Sequence, residues 1–533
     1  MTKRRQSLVL AILIVTLSVL MAACQSNQTP ESVITLAVDG KERAIPLDSP
    51  VTVGEILRSE EIELGPLDQV NPPEYSQIAD GMRITVARVR EESECDEAEI
   101  PFERRTIPNE ALAPGETRLA QPGQSGIEQT CYRVVFIDDV RQDPVPVSRV
   151  PLREPQDEIV YVGPSGELDP VNIDGTLAYL SNDNVWAMRG SSTSKRPLTE
   201  TSDADGRVLS LTPDGRSLLY SRSAPDDAGS IFNQLWLIDD TLSNSPPVGL
   251  VPQNVLSASW VPGRVNTISY STGEESAAAP GWRANNDLFL MTIDPQSGQA
   301  LAVDPLVPPT SAGLYSWWGT EYTWSPSGNL LAWVRADSMG LVDIETGAFT
   351  TLLSYPVFET RQSWSWRATV SYSPEETTIA TTVHGEPIGN EPPQTSPVFH
   401  VAVTDTVGAL SSDLALNTGI WSMPAWSPAY TDPSSGQPTW QIAYLRTRNL
   451  ANSINQGAEY DLVVADRDGS NARVVFPAPG QPGLNASAEP VWSPTGTQIA
   501  FIYQGNLWVV DVTSGVANQL TLDGAASSPV WTR

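Results

Sequence analysis

The sequence predicts a mainly β protein: a small α+β module, an all-β module of thin sheets, and then a seven-bladed β-propeller closed by its C-terminal strand, with six blades as the alternative count. Three observations carry this. Trp324-Ser325-Pro326-Ser327-Gly328 precedes Leu330-Leu331-Ala332-Trp333, and the same pattern returns as Trp492-Ser493-Pro494-Thr495-Gly496 before Ile499-Ala500-Phe501. With looser copies at Leu211, Trp260, Tyr372 and Trp426 the motif returns every 48 to 66 residues, which marks a repeat architecture, and short antiparallel strands in each repeat make propeller blades. The chain ends in Pro529-Val530-Trp531-Thr532, the first strand of a repeat with nothing after it, while Leu177-Ala178-Tyr179 and Val185-Trp186-Ala187-Met188 continue a repeat that lacks its first strand. Upstream, apolar and polar residues alternate around Asp39-Gly40 and after Asp80-Gly81, which marks short strands and tight turns.

The elements follow in order. Lys3, Arg4 and Arg5 precede an apolar run from Leu8 to Met21, 14 residues long, and then Ala22-Ala23-Cys24. Charge, apolar core and small-residue junction are those of an export signal over residues 1–23, too short to span a bilayer at about 20 residues. Met21-Ala22-Ala23-Cys24 resembles the bacterial lipobox, which implies that Cys24 is diacylated and becomes the first mature residue; an ordinary secretory cleavage is the alternative. The expected location is the extracytoplasmic side of the cell membrane, held by the lipid, with residues 24–31 as a polar tether. After lipidation Cys95 and Cys131 remain, and an oxidising compartment allows them to pair. The closed loop of about 36 residues would contribute roughly 3 to 4 kcal/mol; two separate buried thiols are the alternative.

Across residues 32–92 the hairpin at Asp39-Gly40 leads to a stretch that Thr52 can cap, with Val53, Ile56 and Leu57 on one face and Leu64-Gly65-Pro66 at its end. Met82, Ile84 and Val86 then alternate. The order strand, strand, helix, strand resembles the ubiquitin-like domain of bacterial wall-associated proteins. Glu91, Glu92, Glu94, Asp96 and Glu97 read as a solvated linker. Across 95–163, Pro114-Gly115-Glu116-Thr117, Gly123, Gly126, a strand at Cys131 to Ile137 and Ile159-Val160-Tyr161-Val162-Gly163 resemble the five-glycine (G-five) domain, with Asp138-Asp139 at the hairpin turn. The glycines allow positive φ and close chain approach in sheets with almost no core. The resemblance implies adhesion to cell-wall polysaccharide containing N-acetylglucosamine, and no binding residue of that family maps onto this segment.

From 165 to 533, Leu211, Trp260, Trp324, Tyr372, Trp426, Trp492 and Trp531 mark seven inner strands at spacings of 39 to 66 residues. This part resembles the TolB-type propeller repeats, whose more familiar count is six. Trp318, Trp366 and Trp421 each stand five or six residues before an inner-strand anchor, with Trp317 and Trp364 beside them. In a propeller such entry loops surround one mouth of the channel. Rigid rings there suit sugar stacking or an extended peptide, or else they pack between blades.

Composition bounds the chemistry. There are 63 Asp+Glu against 32 Lys+Arg, a formal charge of −31, in 533 residues. That field repels phosphate backbones, so nucleic acid is excluded as a partner. His384 and His400 have no zinc-spaced neighbours, Asp466-Arg467-Asp468-Gly469 lacks the rest of a calcium loop, and no Gly-x-Ser-x-Gly elbow occurs, so neither metal, cofactor nor catalysis is expected. The expectation is a non-enzymatic, lipid-anchored envelope protein that holds wall glycan and shows a propeller face to a ligand or envelope protein. The alternatives are a glycan lyase or hydrolase using carboxylates such as Glu321 or Glu359 in the mouth, and a TolB-like assembly factor.

Overall fold

Asp39 and Gly40 both take positive φ, 51° and 70°, the geometry of a two-residue turn whose twist matches its strands. They join Ser32–Val38 to Lys41–Leu47 as an antiparallel hairpin in the computed structural model, which describes residues 32–533 except 48, 110, 111, 165, 167, 226, 227, 312, 314, 433–435 and 456. The leader, Cys24 and the tether therefore lie outside the described residues. Ile34, Leu36 and Val38 pack with Val53, Ile56 and Leu57 of helix Val53–Ser59. Thr52 caps that helix reciprocally: its backbone N–H donates to Glu55 Oε2 at 2.8 Å and its hydroxyl accepts from Glu55 N–H. Arg83–Ala87 pairs in parallel with the first strand. A short strand, Gln69–Asn71, joins its outer edge and was not legible in the alternation.

Val89–Ile100 pairs antiparallel with Gly126–Ile137 over its whole length, and Val145–Arg153 completes this sheet. The acidic stretch read as a linker is thus strand. Both faces of the sheet are largely solvated, so burial does not penalise charge there, and the acids meet cations across the ladder. Glu94 Oε2 lies 2.5 Å from Arg141 and Glu91 Oε1 lies 3.7 Å from Arg133. Cys95 stands directly opposite Cys131 and is disulfide-bonded to it, with Cα atoms 4.0 Å apart. At Gly126 a Cβ would come 2.5 Å from the Arg153 carbonyl oxygen, which explains the glycine. Asp138 and Asp139 take the turn at φ 49° and 63° without glycine.

The chain divides into two compact units, residues up to Arg105 with Leu119–Ile159, and Thr106–Arg118 with Val160–Arg533. Among the described residues the second carries seven antiparallel blade sheets, the larger of the two expected counts. Their inner strands are Ala204–Leu211, Val255–Trp260, Glu321–Trp324, Val370–Tyr372, Ala425–Trp426, Val491–Trp492 and Ala526–Thr532. The last of these pairs with Asn172–Ser181, setting Leu177 against Trp531 and Ala178 against Val530. Blade 1 is therefore built from both ends of the unit, and the blades that follow along the chain are numbered 2 to 7.

The repeated residues each do a physical task. The Ser hydroxyl of each Trp/Tyr-Ser-Pro turn accepts the backbone N–H that re-enters the next strand: Leu330 to Ser325, Thr378 to Ser373, Gln441 to Ser427 and Gln498 to Ser493. In blades 3, 4 and 7 the Trp indole reaches the preceding blade, as when Trp324 Nε1 donates to Ser269 Oγ at 2.8 Å and Trp492 Nε1 to the Ala425 carbonyl at 2.9 Å. Buried clusters fill every junction between neighbours. Ile173, Leu177, Tyr179 and Trp531 pack with Ile502, Leu507 and Val509 between blades 1 and 7, just as Leu445, Leu462, Ile499 and Phe501 join blades 6 and 7. The ring is closed.

Candidate functional site

Each inner strand runs from the loop that enters it toward its Trp, Tyr or Leu anchor, followed in four blades by a Trp/Tyr-Ser-Pro turn, so the first residues of these strands line one end of the channel and the anchors the other. At the turn end, Tyr372, Trp426, Trp492 and Trp531 with Pro326, Pro374 and Pro428 bound an apolar cavity of about 650 Å³. The entry end is where the sequence placed its tryptophans.

Trp317 and Trp318 form a 3₁₀ turn, Ser316–Trp318, in the loop entering blade 4. Trp318 Nε1 donates to the Ser363 carbonyl at 3.3 Å, beside Trp364, and Trp364 stacks on Trp421 with centroids 5.4 Å apart. Trp317 lies under Arg283, whose guanidinium carbon is 5.8 Å from the ring centroid. All four rings are partly exposed, while Trp364 and Trp421 also pack against the core between blades 4 and 5, and Trp421 against that between blades 6 and 7. Trp366 does not join them. It is 4% exposed and packs against Tyr355 and Phe399, at 5.6 and 5.0 Å, in the core between blades 4 and 5. Spacing placed it in the same loop, but the chain turns inward there.

Beside Trp318 opens a cavity of about 340 Å³, lined among others by Arg207, Ser257, Trp282, Thr320, Glu321 and Arg367. Arg207 comes from the inner strand of blade 2. Trp282 comes from Trp282–Ala284, which pairs with the extended end of Thr267–Glu275 in blade 3. The Arg367 guanidinium fixes the entry loop by donating to the Trp318 and Gly319 carbonyls, and its Nε lies 2.6 Å from Glu321 Oε1. Arg207 is held between Phe232 and Trp282, 5.3 and 5.2 Å from their centroids. Burial pushes its guanidinium below the ordinary value, and the charge of Asp205, 3.6 Å away, only partly restores it. Nothing in the sequence pattern singled out Arg207 or Trp282. A signal existed in Arg207, a cation inside a predicted inner strand of an acidic chain.

Glu321 is the one carboxylate among the described residues lining this cavity, and it is tied to Arg367. Glu359 is exposed and lies outside the lining, its backbone N–H bonded to the Gln394 carbonyl. The two carboxyls that glycoside hydrolysis uses are thus not brought together here. His384 is buried, with its ring nitrogens each 2.9 Å from the Pro356 and Ser396 carbonyl oxygens. His400 accepts from the Asn417 N–H, and burial pushes its pKa down. Among the described residues no group of three or more His, Cys, Asp or Glu is placed to hold a metal ion, and no helix is long and apolar enough to cross a membrane.

Comparison with known families matches residues 91–165 to the G5 domain and residues 34–74 to the G5-linked ubiquitin-like domain. Residues 444–530, from blade 6 to the closing strand, match the dipeptidyl peptidase IV (DPP IV) N-terminal region. This last match overturns the expectation of a non-enzymatic protein: residues 444–530 of the propeller are similar to the N-terminal region of a peptidase. Among solved structures, the G5 domain of IgA1 protease is 24% identical, covering 15% of this chain and 94% of that one, with a TM-score of 0.13. A putative TolB from Agrobacterium tumefaciens is 13% identical, covering 60% and 92%, with a TM-score of 0.34. A puromycin-hydrolysing peptidase of Mycobacterium tuberculosis is 16% identical, covering 66% of this chain and 53% of its own, with a TM-score of 0.42.

Proposed function

We propose that this protein is tethered outside the cell membrane by a lipid on Cys24, grips wall glycan containing N-acetylglucosamine through residues 32–163, and presents the entry face of its propeller to a ligand or an envelope protein. The observation that carries the reading is the pair of adjoining matches, G5 at 91–165 and G5-linked ubiquitin-like at 34–74, since G5 domains are associated with wall and glycan binding. The partly exposed rings of Trp317, Trp318, Trp364 and Trp421 supply a second contact surface of the kind that stacks on sugars.

The test is co-sedimentation of the chain from Gln25 onward with isolated wall, competed by N-acetylglucosamine oligomers. Binding that the oligomers release supports the reading, and a chain that stays in the supernatant refutes it. The anchor is checked separately by fatty-acid labelling, which Cys24→Ser abolishes. A second reading is favoured by the match at 444–530: the propeller is the substrate-admitting part of a peptidase. Release of chromophore from dipeptidyl anilides by purified protein, alone or with an added wall extract, supports it, and none in either case refutes it.

A further inference from the structure

The chain carries 32 Lys+Arg against 63 Asp+Glu, yet two of those cations line one cavity. The side chain of Arg207 is 31% exposed and that of Arg367 is 18% exposed. A guanidinium partly withdrawn from water gains from hydrogen-bond acceptors, and the two differ in how many they have. Arg367 is spent on its own loop, through the Trp318 and Gly319 carbonyls and Glu321. Arg207 is not. Its counter-ion Asp205 lies 3.6 Å away, beyond hydrogen-bond length. The Asp205 carboxylate is taken up by the Ser221 hydroxyl, by Asn233 Nδ2 at 2.7 Å and by the Arg207 backbone N–H at 3.0 Å. Among the described residues the Arg207 guanidinium therefore makes ring contacts and one long ionic contact, and its planar fork of donors is not consumed.

The rings of Phe232 and Trp282 hold that fork in place, so little side-chain entropy remains to be lost when it pairs. Around it stand Trp282 and Trp318 as apolar plates, and Ser257, Ser271 and Thr320 among the polar groups. The Ser257 and Ser271 hydroxyls lie 2.9 Å apart, so they share one hydrogen bond and retain acceptor and donor capacity for a third hydroxyl. A guanidinium fork framed by aromatic rings, with hydroxyl partners beside it, is complementary to a small ring that bears both a carboxylate and hydroxyls.

We infer that the entry-face cavity between Arg207, Trp282 and Trp318 binds a carboxylated sugar, its carboxylate paired with the Arg207 fork and its ring against the indoles. The inference rests on the entry face being a ligand face, and names the class of ligand that face takes. A neutral wall sugar would leave the Arg207 fork without a charged partner within hydrogen-bond length.

The experiment is calorimetric titration of the whole mature chain with the disaccharide of N-acetylglucosamine and N-acetylmuramic acid, and with the same disaccharide after reduction of its carboxyl to an alcohol. Because the N-terminal modules are themselves candidates for N-acetylglucosamine, the site measured is the part of the binding that Trp318→Ala removes. There the acid is expected to bind about tenfold more tightly than its reduced form, the scale of one charge-assisted bidentate pair. Arg207→Gln abolishes that preference. Arg207→Lys, which keeps the charge but not the fork, loses most of it and serves if the glutamine variant fails to fold. Equal binding of acid and reduced sugar at the Trp318-dependent site overturns the inference while the ligand face stands. Absence of any Trp318-dependent binding overturns both. A peptide ending in a free D-alanine carboxylate that binds there, loses binding on amidation and outcompetes the sugar overturns the assignment to a sugar.

Discussion

Closing the ring with the last strand makes Trp531 the inner-strand tryptophan of blade 1, although only two residues follow it. The perturbation is Trp531→Ala. In the structure this side chain is 8% exposed, packs among Ile173, Leu177, Tyr179, Ile502 and Leu507, and donates Nε1–H to the Asp174 carbonyl at 2.6 Å. Truncating a buried Trp to Ala costs about 3–5 kcal/mol through lost contacts and the cavity left behind. At roughly 2 °C per kcal/mol for a unit of this size, the melting temperature falls by about 6–10 °C. The internal control is Trp492→Ala, in blade 7, whose indole is 7% exposed and bonded to the Ala425 carbonyl. Differential scanning calorimetry of both variants is the assay, and losses of similar size are expected. If Trp492→Ala lowers the transition by that amount and Trp531→Ala leaves it within about 1 °C, the C-terminal strand is not part of the folded ring and the closure argument is wrong.

Three further perturbations have definite outcomes. Cys95→Ser with Cys131→Ser removes the cross-link between facing strands and lowers the stability of the first unit by roughly 3 to 4 kcal/mol in urea melts, as reduction of the wild-type bond does. Trp366→Ala, in the core between blades 4 and 5, costs about 3–5 kcal/mol, whereas Trp364→Ala removes a stacked and partly exposed ring and costs about 1 kcal/mol; the two separate cleanly in chemical denaturation. Asp68 reports on pH: burial pushes its carboxyl up, but hydrogen bonds from Val89 N–H, Arg88 and Gly65 N–H outweigh this and hold it below the ordinary carboxylate value. A depressed folded-state pKa gives stability that is present above the unfolded value of about 3.9 and lost as pH falls through the folded one, so Asp68→Asn costs about 2 kcal/mol at pH 7 and the gap from wild type narrows below about pH 4.

The parts that were legible in the sequence are those whose chemistry is local. A Trp/Tyr-Ser-Pro turn closes on itself through the Ser hydroxyl within about five residues, or fourteen where blade 6 carries an insertion, so the motif and its task share one stretch of chain. The same holds for Asp39-Gly40 and for Thr52 with Glu55. Val89–Ile100 was misread because charge usually marks solvated loops, and a sheet wet on both faces removes the alternation by which a strand is recognised. Gln69–Asn71 was missed because three residues carry no period at all.

The candidate site fails to be legible for the opposite reason, and the failure follows from how a propeller is built. Neighbouring blades bring residues together across an interval set by loop lengths, which no local pattern encodes: Arg207 meets Trp282 across 75 positions, and Arg367 meets Glu321 across 46. Position in a loop placed Trp318 and Trp366 alike, yet one faces the mouth and the other the core, because the Arg367 clamp on the Trp318 and Gly319 carbonyls directs one loop over the channel while Tyr355 and Phe399 draw the next inward. A cation inside an inner strand is then more informative than a tryptophan at its entrance. A tryptophan finds a favourable place in either environment, whereas a half-buried arginine whose nearest carboxylate is occupied by other donors is left with something to bind.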